Sequence, residues 1–179
     1  MKRKVDRKGF TLIEMIITML IVGIVGGVGV ASMLSATDAV SFLTIRSDMD
    51  QSADVALSRM SQDIRRINED AGILIATPTQ LWFKDVDGTT IVYALSSPSL
   101  FRFASFWAIL ASDVDSLTFT YYDDANNEIA DITEEDYGHI RWIKVHLTFQ
   151  QGSYVLDYET KVRPRNLRHL AYKFSGVQY

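Results

Sequence analysis

The sequence contains no cysteine and only three histidines and three prolines among its 179 residues. Without cysteine there are no disulfides, thiol nucleophiles or zinc–thiolate sites, so the fold depends on its apolar core. The histidines, His139, His146 and His169, are too far apart in sequence to form a local metal motif, and we read them as surface residues. Glycine-rich phosphate loops and the G-x-S-x-G and H-E-x-x-H motifs are also missing. We therefore expect neither enzyme activity nor a cofactor.

Charge is scarce near the amino terminus, where the run Phe10–Leu34 contains a single charged residue, Glu14. As a helix this run would rise about 37 Å, whereas the hydrocarbon core of a bilayer is about 30 Å thick. Five basic residues and one acidic residue precede it. By the positive-inside rule this end stays in the cytoplasm and the remainder is exported. The sequence thus predicts a single-pass membrane protein.

A cleavable signal peptide is the alternative for this segment, with a small-x-small site at Gly29–Ala31. The apolar part of a signal peptide is about 7 to 15 residues long, which is shorter than the run observed here. The carboxylate of Glu14 is costly inside a membrane unless it is paired or reaches the interface. Snorkelling to the interface is its simplest role.

The stretch KGFTLIE, residues 8–14, resembles the processing site of the type IV pilin family, which includes pilus, secretion and competence subunits. The resemblance implies that a prepilin peptidase cuts after Gly9 and that Phe10 becomes the N-methylated terminus. It also implies that Glu14 pairs with the terminal amine of a neighbouring subunit during assembly. Such pairing is chemically reasonable, because an amine and a carboxylate that are desolvated together stabilise each other.

Glycine is concentrated in the second half of the apolar run. Gly23 and Gly27 follow the small-residue spacing that lets two membrane helices approach closely. We therefore expect these two glycines to contact a partner helix. The glycines also lower helix propensity, which in pilin-like filaments permits local loss of order on assembly.

Beyond Ser35 the apolar residues become periodic, which predicts an amphipathic helix. The charged residues, Asp63 among them, are assigned to the other faces. No proline or glycine interrupts Ala31–Asp70, so the membrane helix is predicted to continue to about residue 69, with Gly72 as its stop. A stalk or coiled coil is the alternative. The apolar stripe consists of Ile45, Met49, Ala53, Leu57, Met60, Ile64 and Ile67.

After Gly72 the pattern changes to short strands, with two-residue hairpin signals at Asp87-Gly88 and Gln151-Gly152. Alternating apolar residues predict one buried sheet face, with the helix stripe as its cover. The segment FRFASFWAIL, residues 101–110, is assigned to the core rather than to a subunit contact, while strand and short helix both stay open for it. The predicted strands are Ile73–Ala76, Leu81–Val86, Thr90–Leu95, Leu100–Phe103, Leu117–Tyr122, Ile140–Phe149 and Tyr154–Val162.

Residues 123–139 are strongly acidic and offer calcium-type oxygen ligands in Asp123, Asp124, Asn126 and Glu128. They lack the ligand order and central glycine of an EF-hand, so we expect a solvated loop and no metal. The basic segment 161–169 is either a salt-bridging surface for a neighbouring subunit or an exposed terminal strand. The chain as a whole is acidic, with a formal charge of −4, which argues against direct nucleic-acid binding.

The order of the segments 114–123, 140–147 and 162–167 resembles the J-type minor pseudopilins of type II secretion (GspJ) and the PilW-type minor pilins. The resemblance implies an α+β pilin fold, in which a long N-terminal α-helix, half transmembrane, packs on an antiparallel β-sheet domain. Residues 1–9 would be a cleaved leader, 10–36 the transmembrane and assembly half, and 37–179 the extracytoplasmic domain.

The same resemblance implies a structural minor pilin or pseudopilin subunit near a filament tip. Its partners would be other pilin subunits, prepilin peptidase, the inner-membrane assembly platform and the lipid bilayer. It would sit in the bacterial inner membrane with a cytoplasmic amino terminus and a periplasmic domain, and then enter the filament. A membrane-anchored extracytoplasmic enzyme or binding protein is the alternative, and secretion, pilus and competence roles all stay open.

Overall fold

The computed structural model describes residues 11–68 and 72–167. The chain divides into two compact units, Met1–Arg46 and Ser47–Tyr179. The described residues form α1 (Leu12–Arg65), β1 (Ile73–Ala76), β2 (Leu81–Lys84), β3 (Thr90–Ser96), β4 (Ser99–Phe103), β5 (Trp107–Ala111), β6 (Val114–Tyr122), a 3-10 helix (Glu134–His139), β7 (Trp142–Gln151) and β8 (Tyr154–Val162).

The described part of the first unit is helical from Leu12 onward, and every side chain from Thr11 to Thr44 is exposed. Its most apolar window of 18 residues has a mean hydropathy of 2.3 and no buried residue. A helix of this length and composition is able to cross a membrane. The expected apolar span is therefore present at the start of α1.

The second unit begins within α1, and the predicted stripe is its buried face. Met49, Ala53, Met60 and Ile64 are buried, while Leu57 is half-buried. Ala56 adds to this face. A long N-terminal apolar helix packed on antiparallel sheets is the α+β arrangement that the sequence predicts, and it is consistent with the pilin fold.

The helix ends at Arg65, earlier than predicted, because its last turn tightens. The amide of Ile67 donates to the carbonyl of Ile64 at 3.2 Å, three residues back, and Ile67 then pairs with Asp85 in an isolated β-bridge. Gly72 is thus not the helix stop. It is glycine because a Cβ there would lie 2.1 Å from the carbonyl oxygen of Asn68.

The strands form two antiparallel sheets, one with the order β1-β2-β3-β4-β5 and one with the order β6-β7-β8. β1 and β8 have their predicted bounds, and the other predicted strands are found with shifted ends. In β7 the buried Ile143, Val145 and Leu147 alternate with half-exposed residues such as Lys144 and His146, as predicted. Each sheet therefore contributes one apolar face to the core.

Both predicted hairpins are antiparallel, but their loops differ from the prediction. At the first, the amide of Gly88 donates to the carbonyl of Asp85 at 2.9 Å, and Asp85 pairs with Thr89, which leaves a three-residue loop. Gly88 has a φ of 80°, which favours glycine. At the second, Gln151 pairs with Tyr154, so the two-residue loop starts at Gly152, one residue later than predicted.

The segment at residues 101–110 forms the end of β4, a turn and most of β5, which settles the choice between strand and helix. Its assignment to the core is wrong for the second half. Phe106, Trp107 and Ile109 are 72%, 54% and 63% exposed. The reason is position, since β5 is an edge strand of the five-stranded sheet.

Candidate functional site

The start of α1 is the candidate processing and assembly site. Gly9 and Phe10 lie outside the described residues. Thr11 immediately precedes the helix, and its hydroxyl oxygen accepts a hydrogen bond from the amide of Glu14 at 3.3 Å. Thr11 is thus the N-cap and Glu14 the third helical residue, in the T-x-x-E order of a capping box. The sequence alone contains this T-x-x-E pattern, but it lies at the start of the long apolar run, and the cap was not predicted.

The Glu14 side chain is exposed and has no hydrogen bond or ion pair with another described residue. A carboxylate in the first turn interacts favourably with the positive end of the helix dipole. That interaction leaves its hydrogen-bonding capacity available. The position therefore suits a carboxylate that receives a partner from outside the described part of the chain.

Five hydroxyl side chains in the exposed half of α1 donate to backbone carbonyls of the helix itself: Thr18, Ser32, Ser35, Thr37 and Thr44. Ser32 donates to the carbonyl of Val28 at 2.9 Å, and Thr37 donates to the carbonyl of Met33 at 3.0 Å. Polar groups inside a bilayer require such internal partners, because the hydrocarbon offers none. These hydroxyls are therefore compatible with a membrane environment.

The two glycines assigned to helix contact face open space. A Cβ built at Gly23 or Gly27 would meet nothing within 4 Å. No close approach within the described chain accounts for glycine at either position. Contact of these two glycines with a second helix therefore stays a prediction from their spacing.

In the second unit, the main polar link between α1 and the five-stranded sheet is centred on Asp63. Its Oδ2 accepts from the Tyr93 hydroxyl at 2.7 Å and from Arg102 Nε at 2.5 Å. Arg59, one turn earlier on α1, lies 3.4 Å away. The assignment of Asp63 to a face of α1 other than the buried one is wrong, since its exposure is 4%. Its partners are too distant in sequence for helical periodicity to reveal them.

The electrostatics of this cluster favour a neutral tyrosine beside a charged pair. Burial raises the pKa of Tyr93 above its ordinary value of 10.0, and the adjacent Asp63 raises it further. For Arg102, burial lowers the pKa, but the hydrogen bond and charge of Asp63 outweigh it and the net pKa is raised. Arg102 thus compensates the charge of Asp63, and Tyr93 donates a hydrogen bond to it. A buried carboxylate needs such partners to offset the loss of its hydration.

The acidic segment uses several of its oxygens internally. Asp123 accepts from the backbone amide of Asn127 at 2.8 Å and from its side chain at 3.1 Å, which lowers the pKa of Asp123. The amide oxygen of Asn126 accepts from the Lys161 ammonium. The segment is more ordered than a solvated loop, because it contains the 3-10 helix and the Tyr137 hydroxyl accepts from the amide of Ala76 at 3.1 Å.

The described part of the basic segment makes contacts within the chain. Lys161 lies 3.5 Å from the ring centroid of Tyr122, and Arg163 lies 3.8 Å from Asp124. Within residues 11–68 and 72–167, no group of three or more His, Asp or Glu is arranged to hold a metal ion. Nε2 of His146, on the polar face of β7, lies 3.6 Å from Oδ1 of Asp157, whereas His169 is outside the described residues.

Comparison with known protein families matches residues 5–30 to a model described as the prokaryotic N-terminal methylation motif. The match includes Gly9, Phe10 and Glu14, together with Gly23 and Gly27. No curated protein matches the chain. The motif supports a type IV pilin-like, prepilin-processed chain, and with the apolar helix it supports a single-pass inner-membrane anchor. The motif and the pilin-like fold together suggest a structural subunit.

Proposed function

We propose that this chain is a minor pilin or pseudopilin, cut after Gly9, methylated on Phe10 and incorporated near the tip of a type II secretion pseudopilus or a type IV pilus. The observation that carries the proposal is the methylation motif at the head of an exposed apolar helix that ends on antiparallel sheets. Its finer assignment to the J-type pseudopilins or PilW-type pilins rests on the resemblance of three segments in the second half.

In this proposal Glu14 receives the terminal amine of a neighbouring subunit. Its position on the third helical residue and its lack of a described side-chain partner support that role. Desolvating the amine and the carboxylate together makes their attraction strong, while either alone is costly in the membrane. Gly23 and Gly27 provide the close helix contact that would accompany the pairing. The domain beyond the membrane then faces the periplasm.

The test begins with the processed terminus. Intact-mass and peptide mass spectrometry of the protein from a host with a prepilin peptidase should show a chain starting at N-methyl-Phe10. A start near Ser32 would instead indicate signal peptidase and would overturn the proposal. The same measurement in a host without prepilin peptidase should show an uncut chain.

Replacement of Glu14 separates a filament subunit from a membrane-anchored enzyme or binding protein. Glu14→Ala should leave processing intact and abolish incorporation into sheared filaments. Thr18→Ala, one turn further along the same exposed helix, is the matched control and should assemble normally. If Glu14→Ala assembles like the parent chain, the anchored-protein alternative gains the support.

A further inference from the structure

The five-stranded sheet has an outer face that carries exposed aromatic side chains. Tyr93 and Arg102 reach Asp63 on α1, so their sequence neighbours Val92 and Phe103 point to the opposite face. A row of directly paired residues crosses this outer face: Trp82, Val92, Phe103 and Trp107. Both tryptophans are exposed, by 37% and 54%.

Two tryptophans of this row line a cavity of about 330 Å³. Residues 92–95 of β3 and Leu117 of β6 also line it, and Thr79 and Gln80 supply polar groups. None of the residues lining the cavity is charged. Its volume lies at the lower end of the range of about 300 to 1,000 Å³ for ligand pockets, and its aromatic walls with few polar groups are typical of them.

The cavity is continuous with an open strand edge through Trp107. This residue begins β5, which pairs only with β4 within the described part of the chain. From Phe103 to Ala111 the sequence contains no charge and no proline. Soluble proteins usually protect an exposed edge with one or the other, because unpaired backbone groups recruit further strands. Here the edge also exposes Phe106 and Ile109.

We propose that the β5 edge and the cavity between Trp82 and Trp107 form one docking site for an extended, uncharged peptide segment of another protein. The segment would add to the sheet as a strand beside β5 and place one apolar side chain in the cavity. In this mode of recognition, backbone hydrogen bonds give affinity and side-chain pockets give specificity. The uncharged lining disfavours an ionic ligand, and a small molecule would leave the edge unpaired. Docking of a peptide at this site would not require the chain to be part of a filament.

The test uses the full chain in lipid nanodiscs and exploits its lack of cysteine. An environment-sensitive dye is attached to Ile109→Cys, or to Val155→Cys, which is 53% exposed on the edge strand β8 and serves as the matched control. The probe is the blocked peptide acetyl-TVTFTVT-amide. Its twin carries N-methyl groups on alternate residues, which removes backbone donors while keeping the side chains.

The expected result is a saturable response of the dye at position 109 to the parent peptide, at least about tenfold weaker for the methylated twin. The dye at position 155 should not respond. Trp107→Ala should weaken binding at least about tenfold, because central aromatic anchors dominate such sites. Trp142→Ala, on the other sheet, should not. Trp82→Ala provides a second test of the cavity if Trp107→Ala fails to fold.

Three outcomes would overturn the inference. Equal responses to both peptides, or a response at position 155, would mean unspecific apolar adsorption. No response at either position would mean that the edge does not accept a strand. A response at position 109 that grows with protein concentration and needs no peptide would assign the edge to a second copy of this chain instead.

Discussion

The hydroxyl of Tyr93 donates a hydrogen bond to Oδ2 of Asp63 at 2.7 Å, and both residues are buried. The bond connects β3 to α1 across the core of the second unit. Arg102, on the neighbouring strand, contributes a second bond to the same oxygen. Because a buried carboxylate without partners would be strongly destabilising, these contacts specify which face of α1 meets this sheet.

Removal of this carboxylate should destabilise the chain. Asp63→Ala is expected to lower the free energy of unfolding by about 2 to 4 kcal/mol, because Tyr93 loses an acceptor and Arg102 a counter-charge. Arg102 is partly exposed and recovers some hydration, so the loss is smaller than for a fully buried pair. Guanidinium denaturation of the full chain in detergent micelles, followed by tryptophan fluorescence, measures the difference.

The control for this substitution is Asp54→Ala on the exposed side of the same helix, which should change stability by less than about 0.5 kcal/mol. Similar losses in the two variants would mean that helix propensity or net charge, and not the buried cluster, sets the effect.

Alkaline pH should destabilise the protein through its buried tyrosines. Burial raises the pKa of both Tyr93 and Tyr121 above the ordinary 10.0. Below pH 10 the folded and unfolded chains both keep these protons, so the stabilisation is complete. Above pH 10 the unfolded chain releases protons that the folded chain retains, and stability falls by up to about 1.4 kcal/mol per pH unit for each tyrosine.

The contribution of Tyr93 can be isolated by comparing slopes. Denaturation between pH 9 and pH 11.5 should give a shallower decline for Tyr93→Phe than for the parent chain, since one buried titrating group is gone. Tyr121→Phe, which removes the second buried tyrosine, should likewise decline less steeply than the parent chain. An unchanged slope in Tyr93→Phe would contradict the assignment.

Periodicity predicted most of the fold because it reports burial directly. The stripe on α1 and the alternation in β6 and β7 follow from which residues contact the core. The role of Asp63 could not be predicted in this way, because it depends on partners in β3 and β4 that only the tertiary structure brings close. The exposure of Trp107 was missed for a related reason, since a strand's place at the edge of a sheet is not visible in its own residues.

For the sites, too, local motifs could be predicted from the sequence, whereas arrangements that depend on tertiary contacts could not. The predicted processing and assembly residues Gly9, Phe10 and Glu14 belong to one local motif, and the family model, which matches residues 5–30, covers all three. The details of the turn at Asp85 could not be predicted from the sequence. There the Asp85 carboxylate accepts from the amides of Asp87 and Thr89, and the loop is one residue longer than predicted. The cavity beside Trp82 combines residues from β2, β3, β5 and β6, which no local sequence pattern joins.

Gly72→Ala should be strongly destabilising. Its Cβ would lie 2.1 Å from the carbonyl oxygen of Asn68 and 2.6 Å from Cγ2 of Ile67, so the backbone must shift. A loss of about 2 to 3 kcal/mol is expected from such overpacking. Gly26→Ala, where a Cβ meets nothing within 4 Å, is the matched substitution and should cause no loss. Equal denaturation midpoints for the two variants would show that the chain relaxes freely around Gly72.

Calcium should not stabilise the acidic segment. Both carboxylate oxygens of Asp123 accept bonds from Asn127, and the Lys161 ammonium is bound to the amide oxygen of Asn126. Addition of millimolar calcium should therefore leave the thermal midpoint unchanged within about 1 °C, because a ligand that does not bind the folded state does not stabilise it. A calcium-dependent rise that Asp123→Asn removes would instead establish a site there.

The N-cap at Thr11 separates the start of α1 from whatever precedes it. The hydroxyl and carbonyl of Thr11 both accept from the amide of Glu14, so the first turn is closed by atoms on the carboxyl side of Gly9. A cut between Gly9 and Phe10 would thus leave these bonds in place. Maturation would then change only the charge at the amino terminus, because a basic leader is replaced by a single amine. The first turn of the helix would keep its hydrogen bonds.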